Sequence, residues 1–295
     1  MAIVVTGASG HLGRRVVALL LDEHGIDPDA LILVTRSPDR LRELAARGAQ
    51  VRAGDFDRPD ELPAAFAGGE RMLLISADEI GRRIRQHTDA VGAAKAAGVG
   101  HVAYTSYLNT DVEGNPSAIA PEHHATERAI RDAGLTYTFL RNSIYAEIQV
   151  PDAAAALATG KLVTNAGAGR VAYVSRDDCA AVAAAVLAHP ADHENAVHDV
   201  TGRELIDAGR LAEIYAEVGG RPVEPLLVDD AAYAQILVEH AGMPQPVAEA
   251  YATFGTAIRT GVLEVRTDVV ERLTGRAPRT LRDVLREHSG ALAAR

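Results

Sequence analysis

The first half of the chain alternates short runs of branched apolar residues with longer stretches whose apolar residues recur at helical spacing. This alternation predicts parallel strands joined by crossover helices, an α/β fold with a doubly wound sheet. The predicted strands are residues 2–5, 31–35, 50–53, 71–75, 101–105 and 136–140. The predicted helices between them are residues 12–23, 40–46, 61–66, 87–97 and 123–132.

Turn-forming residues separate these segments. Ser37 followed by Pro38 is typical of a helix N-cap with proline in the first turn. Glycine, which ends helices because it adopts positive φ without strain, stands where the predicted helices should stop, at Gly25, Gly48, Gly98 and Gly134. Later in the chain the pattern predicts helices at 151–158, 177–188, 230–240, 267–273 and 281–288, and a strand at 162–164.

Three glycines follow the first predicted strand in the order G-x-x-G-x-x-G, and the last of them stands in the first turn of the first predicted helix. In this position glycines allow a tight turn, a close approach of the backbone to a pyrophosphate, and close packing of helix on strand. Backbone N–H groups at the helix start would stabilise the phosphates. The alternative is a glycine-rich turn without a ligand, which the position in a βαβ unit disfavours. The loop predicts a dinucleotide site containing Thr6, Gly7, Ser9, Gly10, His11, Leu12 and Gly13.

The residue after the second predicted strand selects between the two nicotinamide dinucleotides. Folds that prefer NAD place a carboxylate here to bind the ribose, whereas this chain has Arg36. A guanidinium can pair with the 2′-phosphate of NADPH, and Arg40 is a second candidate for that contact. A solvated arginine at a loop edge is the alternative. Arg36 therefore favours NADPH.

Polar residues also follow the next three predicted strands, at the edge where open α/β sheets bind ligands. Asp55, Phe56 and Asp57 follow the third strand, where a carboxylate could hydrogen-bond an adenine and the aromatic ring could stack on it. Asp57 could alternatively cap the helix that follows. The remaining candidate cofactor residues end the fourth and fifth strands and are Ser76, Thr105 and Ser106.

These patterns divide the chain into two predicted domains. Residues 1–150, completed by 175–202, form an NADP-binding domain of the Rossmann type. Residues 151–174 and 203–295 form a smaller C-terminal lobe that binds the substrate.

Composition narrows the partners to small molecules. The net charge of −10 disfavours nucleic acid and anionic membranes, and no apolar stretch reaches the length of a membrane span. The single cysteine, Cys179, excludes an internal disulfide and a cysteine-based zinc site, and we expect it in the core. His193 and His198 lack metal-ligand spacing, so no metal is predicted. We expect a cytoplasmic protein, and a homodimer stays an open alternative.

One motif of orthodox short-chain dehydrogenases is absent. Their Tyr-x-x-x-Lys lets lysine lower the tyrosine pKa for proton exchange with the substrate oxygen. Here the only lysines are Lys95 and Lys161, and Val91 and Leu157 stand four positions earlier. An alkoxide product therefore lacks its usual acid. Hydride addition to a quinone gives a phenolate-like oxygen with a pKa of about 10, which needs less acid catalysis. The pattern favours an electron-poor conjugated acceptor, or no catalysis.

Over nearly its whole length the chain resembles the atypical short-chain dehydrogenases of the NmrA-like group, which includes quinone reductases and triphenylmethane-dye reductases. The matching segments are VTGASGHLG at 5–13, LLIS at 73–76, AAKAAGV at 93–99, AYTS at 103–106, YTFLRN at 137–142 and VTNAG at 163–167. Residues 75–87 are closer to the quinone reductases, whereas 137–142 and 162–167 are closer to the dye reductases. The resemblance implies NADPH along Thr6–Gly13, Arg36 and Asp55, and leaves the acceptor open between these classes.

The resemblance also implies catalytic candidates. His123 aligns with the missing lysine and Ile119 with the missing tyrosine, so His123 is expected to orient the nicotinamide ribose or relay a proton. A solvated residue at a helix start is the alternative. Asn142 and Tyr145 are expected at the nicotinamide end, with Tyr145 donating a hydrogen bond to substrate; packing of the lobe is the alternative. The quinone reductases have an aromatic residue where this chain has Ile144, which could alter the acceptor.

Three functions follow from these features. The leading one is an NADPH-dependent reductase that passes a hydride directly to a quinone or a similar acceptor, such as a triphenylmethane dye, without flavin or metal. The second is a redox-sensing regulator that binds the dinucleotide without turning it over. The third is a reductase or isomerase of a biosynthetic pathway that acts on a conjugated intermediate.

Overall fold

A computed structural model describes residues 2–292 of the chain. Its strands are β1 (Ile3–Val5), β2 (Leu31–Thr35), β3 (Gln50–Ala53), β4 (Arg71–Leu74), β5 (His101–Tyr107), β6 (Thr136–Asn142), β7 (Lys161–Thr164), β8 (Ala196–Val200) and β9 (Glu224–Leu227). The helices of the first two thirds are α1 (His11–Asp22), α2 (Arg42–Ala46), α3 (Leu62–Phe66), α4 (Arg83–Ala96), α5 (Ala120–Asp132), α6 (Gln149–Thr159) and α7 (Arg176–Ala188). The later helices are α8 (Ala208–Gly219), α9 (Asp230–Ala241), α10 (Gln245–Arg259), α11 (Val269–Thr274), α12 (Leu281–Glu287) and α13 (Ser289–Leu292).

The main sheet has seven strands in the order β3-β2-β1-β4-β5-β6-β8, and β7 pairs with β9 in a separate parallel sheet. Strand β1 is parallel to both of its neighbours, with Val4 opposite Ile32 on one side and Met72 on the other. The strand order reverses direction between β1 and β4, which is the topological switch point where such folds bind ligands. The predicted doubly wound α/β fold is confirmed.

The central strands of the main sheet are buried along their whole length. Every residue of β1, β2 and β4 is buried, because helices cover both faces of a parallel sheet. Such strands consist of unbroken apolar runs, which the sequence shows directly. The glycines predicted to stop helices are confirmed, since all have positive φ: Gly25, Gly48, Gly98 and Gly134.

Several element boundaries differ from the predicted ones. Strands β5 and β6 continue two residues further, and α4 begins at Arg83 rather than at residue 87. The segment after Ser37 is a 3₁₀ turn, Pro38–Leu41, before α2 starts. Ser37 occupies the N-cap position, but its side chain makes no capping bond; its N–H instead donates to Thr35 Oγ1 at 3.1 Å. Strand β9 is short, exposed and contains a proline, so its pattern did not reveal it.

The chain forms two compact units. Unit 1 comprises residues 2–106, 122–141 and 179–198, and its core packs α3, α4 and α5 against the strands around Phe66, Tyr104 and Phe139. Unit 2 comprises residues 107–121, 142–178 and 199–292, and its core joins α6, α8, α10 and α12 around Tyr215. The predicted division had placed residues 107–121 and 142–150 in the first domain, whereas in the structure they belong to unit 2.

Candidate functional site

The glycine loop turns sharply between β1 and α1. Gly7 has φ of 59°, and the N–H of Gly10 donates to the Gly7 carbonyl at 2.9 Å. A Cβ on Gly13 would lie 2.4 Å from the Gly7 oxygen and 2.8 Å from the Ala8 Cα. Since backbone atoms cannot move aside, only glycine lets α1 begin this close to the loop.

Helix α1 presents an uncapped N-terminus. Its N-cap is Gly10, which has no side chain to accept from the first N–H groups, and its first turn contains no acidic residue. The N–H groups of His11, Leu12 and Gly13 lack intrahelical partners by geometry. Together with the positive end of the helix dipole, they suit a pyrophosphate.

Thr6 holds the loop at the switch point. Its buried hydroxyl donates to the Leu73 carbonyl at 3.2 Å and accepts from the N–H of Ile75 at 3.0 Å. Both partners lie at the end of β4, so the hydroxyl ties β1 to β4. Thr6 therefore positions the loop through its neighbours.

Ser9 ties the same loop to the end of β2. Its hydroxyl lies 2.6 Å from the hydroxyl of Thr35, and the preceding N–H of Ala8 donates to the Val34 carbonyl at 3.2 Å. These contacts hold the phosphate loop beside the turn that follows β2.

Arg36 lies at the start of that turn and is exposed. Its guanidinium has no carboxylate partner among residues 2–292, and neither has that of the exposed Arg40. The carboxylate within the turn, Asp39, is occupied by Arg42 at 2.9 Å. Two positive charges are thus left uncompensated at the end of β2, where a 2′-phosphate would need them.

The turn after β3 carries the predicted adenine residues. Asp55 and Phe56 are half-buried, and Asp55 Oδ1 accepts the N–H of Asp57 at 3.0 Å. The ring of Phe56 packs edge-to-face against His87, with 5.9 Å between ring centroids.

Asp57 does not cap the following helix, contrary to the alternative interpretation. Its carboxylate accepts hydrogen bonds from Arg85 at 2.6 Å and Gln86 at 3.1 Å, and pairs with Arg82 at 2.7 Å. These contacts, with Gln86 contributing most, lower the pKa of Asp57.

Ser76 and Thr105 meet at the ends of β4 and β5. The N–H of Ser76 donates to Thr105 Oγ1 at 2.8 Å, and the two hydroxyls are 3.4 Å apart. They stand at the carboxyl edge beside the switch point, as predicted.

Ser106 points into a buried network. Its hydroxyl donates to Glu127 at 2.7 Å, and Glu127 in turn accepts two bonds from Arg141, at 2.9 and 2.8 Å. Glu127 is fully buried and Ser106 is 4% exposed. The Ser106 hydroxyl proton is therefore committed to the interior of unit 1.

His123 is buried on α5, so its interpretation as a solvated residue is wrong. Its Nδ1 lies 2.7 Å from the hydroxyl of Tyr104. Burial, and then the charges of Arg83 and His87, hold the pKa of His123 well below its usual 6.5. The imidazole is neutral at physiological pH. The prediction that His123 titrates near neutrality is therefore wrong. The neutral ring can form hydrogen bonds but is not an imidazolium cation.

A polar network around His123 was missed by sequence reasoning. His87 Nε2 accepts the N–H of Ala77 at 3.0 Å, which leaves the proton on Nδ1, 3.0 Å from Thr126 Oγ1. Burial lowers the pKa of His87 to about 3, so it too is neutral. Hydrophobic periodicity could not reveal this network because its members lie on three separate elements.

Glu122 organises the loop between β4 and α4. This buried carboxylate accepts from the Arg83 guanidinium at 2.7 Å and from the N–H of Gly81 at 2.7 Å. Arg83 also donates two bonds to the Ala77 carbonyl, at 2.9 and 2.7 Å. These contacts attach the loop to α5, next to His123.

Asn142 and Tyr145 lie in unit 2, just after β6. Asn142 Nδ2 donates to the Tyr145 hydroxyl at 3.1 Å, and the Arg176 guanidinium lies 5.3 Å from the centre of the Tyr145 ring. Asn142 is 4% exposed, and its Oδ1 is buried without a hydrogen-bond partner in the described part of the chain. The bond from Asn142 therefore helps to orient the Tyr145 hydroxyl.

Asp152 on α6 is a further unusual group of unit 2. Its carboxyl has no hydrogen-bond or ion-pair partner among residues 2–292, and burial raises its pKa to about 6. Its charge in turn helps to raise the pKa values of three tyrosine hydroxyls, those of Tyr173, Tyr215 and Tyr233. The sequence showed only an acidic residue in the first turn of a helix.

Asp152→Asn should stabilise the protein at alkaline pH. The folded pKa of about 6 lies above the ordinary 3.8, so stability falls as the pH rises from 3.8 to about 6, and the full cost of ionisation is present above that. Allowing for partial solvent access, we expect the free energy of unfolding of the variant to exceed that of wild type by about 1–2 kcal/mol at pH 8. Near pH 4 the gain should vanish. Urea denaturation at both pH values checks this, with the exposed Asp60→Asn as control; an equal effect at both would contradict it.

The described residues also bear on membranes and metal ions. No helix within residues 2–292 is long and apolar enough to cross a membrane. Within the same residues, no group of three or more His, Cys, Asp or Glu side chains is arranged to hold a metal ion.

The chain matches known proteins over most of its length. A family model described as NAD(P)H-binding matches residues 7–190. Quinone oxidoreductase 2 of Escherichia coli (strain K12) is 35% identical over 279 residues, which cover 95% of this chain and 96% of that protein. The NAD(P)H azoreductase of Xenophilus azovorans is 29% identical over 303 residues, covering 99% of each.

Solved structures agree with these relatives. The NADPH-dependent quinone oxidoreductase of E. coli, complexed with NADPH, superposes with a TM-score of 0.90 at 34% identity, covering 97% of this chain and 99% of that one. The Citrobacter sp. triphenylmethane reductase complexed with NADP(H) gives a TM-score of 0.88 at 36% identity, with the same coverage. The chain belongs to the NAD(P)H-binding family. Its predicted resemblance to NmrA-like atypical short-chain dehydrogenases, including these two reductases, is confirmed.

Proposed function

We propose that the protein is an NADPH-dependent oxidoreductase that reduces quinones or similar electron-poor conjugated acceptors, such as triphenylmethane dyes. The observation that carries the proposal is the pairing of an uncapped glycine-loop helix with unpaired guanidinium groups at the end of β2. The first suits a pyrophosphate and the second a 2′-phosphate. The relatives named above, a quinone reductase, an azoreductase and a dye reductase, support the acceptor class.

In this proposal, residues of unit 1 bind the pyrophosphate, the 2′-phosphate and the adenosine of NADPH. In this proposal the backbone of Gly7–Gly13 binds the pyrophosphate, Arg36 binds the 2′-phosphate, and Asp55 and Phe56 bind the adenosine. Thr6 and Ser9 position the loop, and Ser76 and Thr105 line the edge beside β1. Ser106 contributes through Glu127, because its hydroxyl proton is engaged there.

The chemistry needs little acid catalysis. NADPH, when bound, supplies the hydride, and no flavin or metal takes part in this proposal. Neutral His123 would orient the nicotinamide ribose by hydrogen bonding. Tyr145, whose hydroxyl is oriented by Asn142, would donate a hydrogen bond to the acceptor oxygen or nitrogen. A reduced quinone oxygen, with a pKa near about 10, accepts its proton readily from water.

The net charge of the chain bears on its partners. The net charge of −10 disfavours nucleic acid and anionic membranes as partners. We propose that the protein works in the cytoplasm on small-molecule substrates.

Turnover separates this function from a dinucleotide-binding regulator. Purified protein should oxidise NADPH at least about tenfold faster with some member of a panel of quinones and cationic dyes than without acceptor, which corresponds to a modest 1.4 kcal/mol of barrier lowering. The loss of NADPH absorbance measures this. Tight NADPH binding with no acceptor-dependent increase in NADPH oxidation would favour the regulator. The missing Tyr-x-x-x-Lys is compatible with that function as well.

A further inference from the structure

A third guanidinium connects the two phosphate-binding segments. Arg14 lies in the first turn of α1, directly after Gly13. Its Nε donates to the carbonyl of Ser9 at 3.0 Å, and its Nη2 donates to the carbonyl of Arg40 at 2.6 Å. One side chain therefore joins the glycine loop to the turn that follows β2.

The charges around this bridge are uncompensated. Arg14 bonds only backbone carbonyls, and within residues 2–292 no carboxylate pairs with Arg14, Arg36 or Arg40. Asp39, the acidic residue of the turn, is held by Arg42. In a chain with a net charge of −10, three unpaired guanidinium groups within two short segments are a local positive field.

The shape of the arginine side chain is what makes the bridge possible. The guanidinium is a planar fork whose N–H groups point in different directions, so two carbonyls on separate segments can be bound at once. A lysine carries the same charge on a single nitrogen and cannot reproduce this geometry. The two carbonyl contacts leave further N–H groups of Arg14 available.

We propose that Arg14 is a positioning residue that fixes the turn bearing Arg36 and Arg40 relative to the glycine loop, and thereby sets the preference for a 2′-phosphorylated cofactor. The inference rests on the proposed NADPH-dependent function. The loop carries the pyrophosphate site and the turn carries the 2′-phosphate site, so a fixed spacing between them matches one rigid ligand. Without Arg14 the turn keeps its charges but loses its attachment to α1.

The test uses 2′,5′-ADP and ADP as probes, which differ in the 2′-phosphate. We expect Arg14→Gln and Arg14→Lys each to weaken the affinity for 2′,5′-ADP, measured by calorimetry, by about tenfold. This is the expected cost when the displaced turn loses one charge-assisted hydrogen bond to the 2′-phosphate. Binding of ADP should weaken by less than about threefold. Arg15→Gln removes the same charge from the same helix and should change neither affinity. Thermal melting of each variant checks that the fold is retained.

The lysine variant decides between positioning and charge. Wild-type affinity for 2′,5′-ADP in Arg14→Lys would show that charge alone matters and would overturn the proposal. Equal losses for 2′,5′-ADP and ADP would overturn it as well, because the effect would not concern the 2′-phosphate. If the wild-type protein binds ADP but gains nothing from the 2′-phosphate, the NADPH preference itself fails, and the role of Arg14 fails with it.

Discussion

Arg36→Asp should weaken NADPH binding by about 100-fold while leaving NADH binding within about threefold of wild type. The substitution removes a charge-assisted hydrogen bond to the 2′-phosphate and places a carboxylate against it. NADH lacks that phosphate, and its ribose hydroxyls can hydrogen-bond a carboxylate at this position. Arg36 is exposed and unpaired, so its replacement disturbs no packed contact.

Fluorescence titration of both reduced cofactors measures the change in preference. Arg47→Asp, an equal charge change at the exposed end of α2, serves as the control and should leave both affinities unchanged. An equal loss of affinity for both cofactors in Arg36→Asp would remove the reason to assign a 2′-phosphate contact to this residue.

Glu127→Ala should destabilise the protein by about 3–5 kcal/mol, because it removes the carboxylate that accepts two hydrogen bonds from the buried Arg141 guanidinium. Glu127 is fully buried, Arg141 is 7% exposed, and the two share a pair of hydrogen bonds. The same substitution deprives the Ser106 hydroxyl of its acceptor. The carboxyl edge of β5 should therefore loosen together with the interior of unit 1.

Urea denaturation followed by circular dichroism tests this stability loss. The control is Glu61→Ala, which removes an exposed ion pair with Arg58 and should cost less than about 1 kcal/mol. A Glu127→Ala protein as stable as the Glu61→Ala control would contradict the structural role given to this pair.

The positions of the candidate cofactor residues could be predicted because they depend on local sequence. The central strands are buried on both faces and therefore appear as continuous apolar runs. The glycine loop follows the first strand directly, and Gly13 is required by contacts with residues only five and six positions away. Arg36 stands one residue after β2. Each of these features is visible in a short stretch of sequence.

Features that depend on packing between distant elements were not predictable. His123 was expected to titrate near neutrality, but burial, and then the charges of Arg83 and His87, lower its pKa, so it is neutral. Asp152 looked like an ordinary first-turn acid until the fold buried it without a partner. The bridge made by Arg14 spans 26 positions of the chain, and no spacing rule marks it.

The division of the chain shows the same limit. Alternating strands and helices predicted that residues 107–121 and 142–150 belong with the sheet, since they directly follow β5 and β6. In the structure these segments join unit 2, where Leu108 and Ala146 are part of its core. Hydrophobic periodicity shows that a residue is buried but does not show in which core.

Direct hydride transfer can be followed by isotope labelling with a cationic triphenylmethane dye as acceptor. Reduction forms a C–H bond at the central carbon of the dye, where the label does not exchange with water. With NADPH deuterated at the transferred position, the leuco product should carry deuterium at that carbon; with unlabelled NADPH in D₂O it should carry none. Deuterium taken from the solvent would contradict direct hydride transfer. No reduction of any dye or quinone despite NADPH binding would contradict the proposed reductase function.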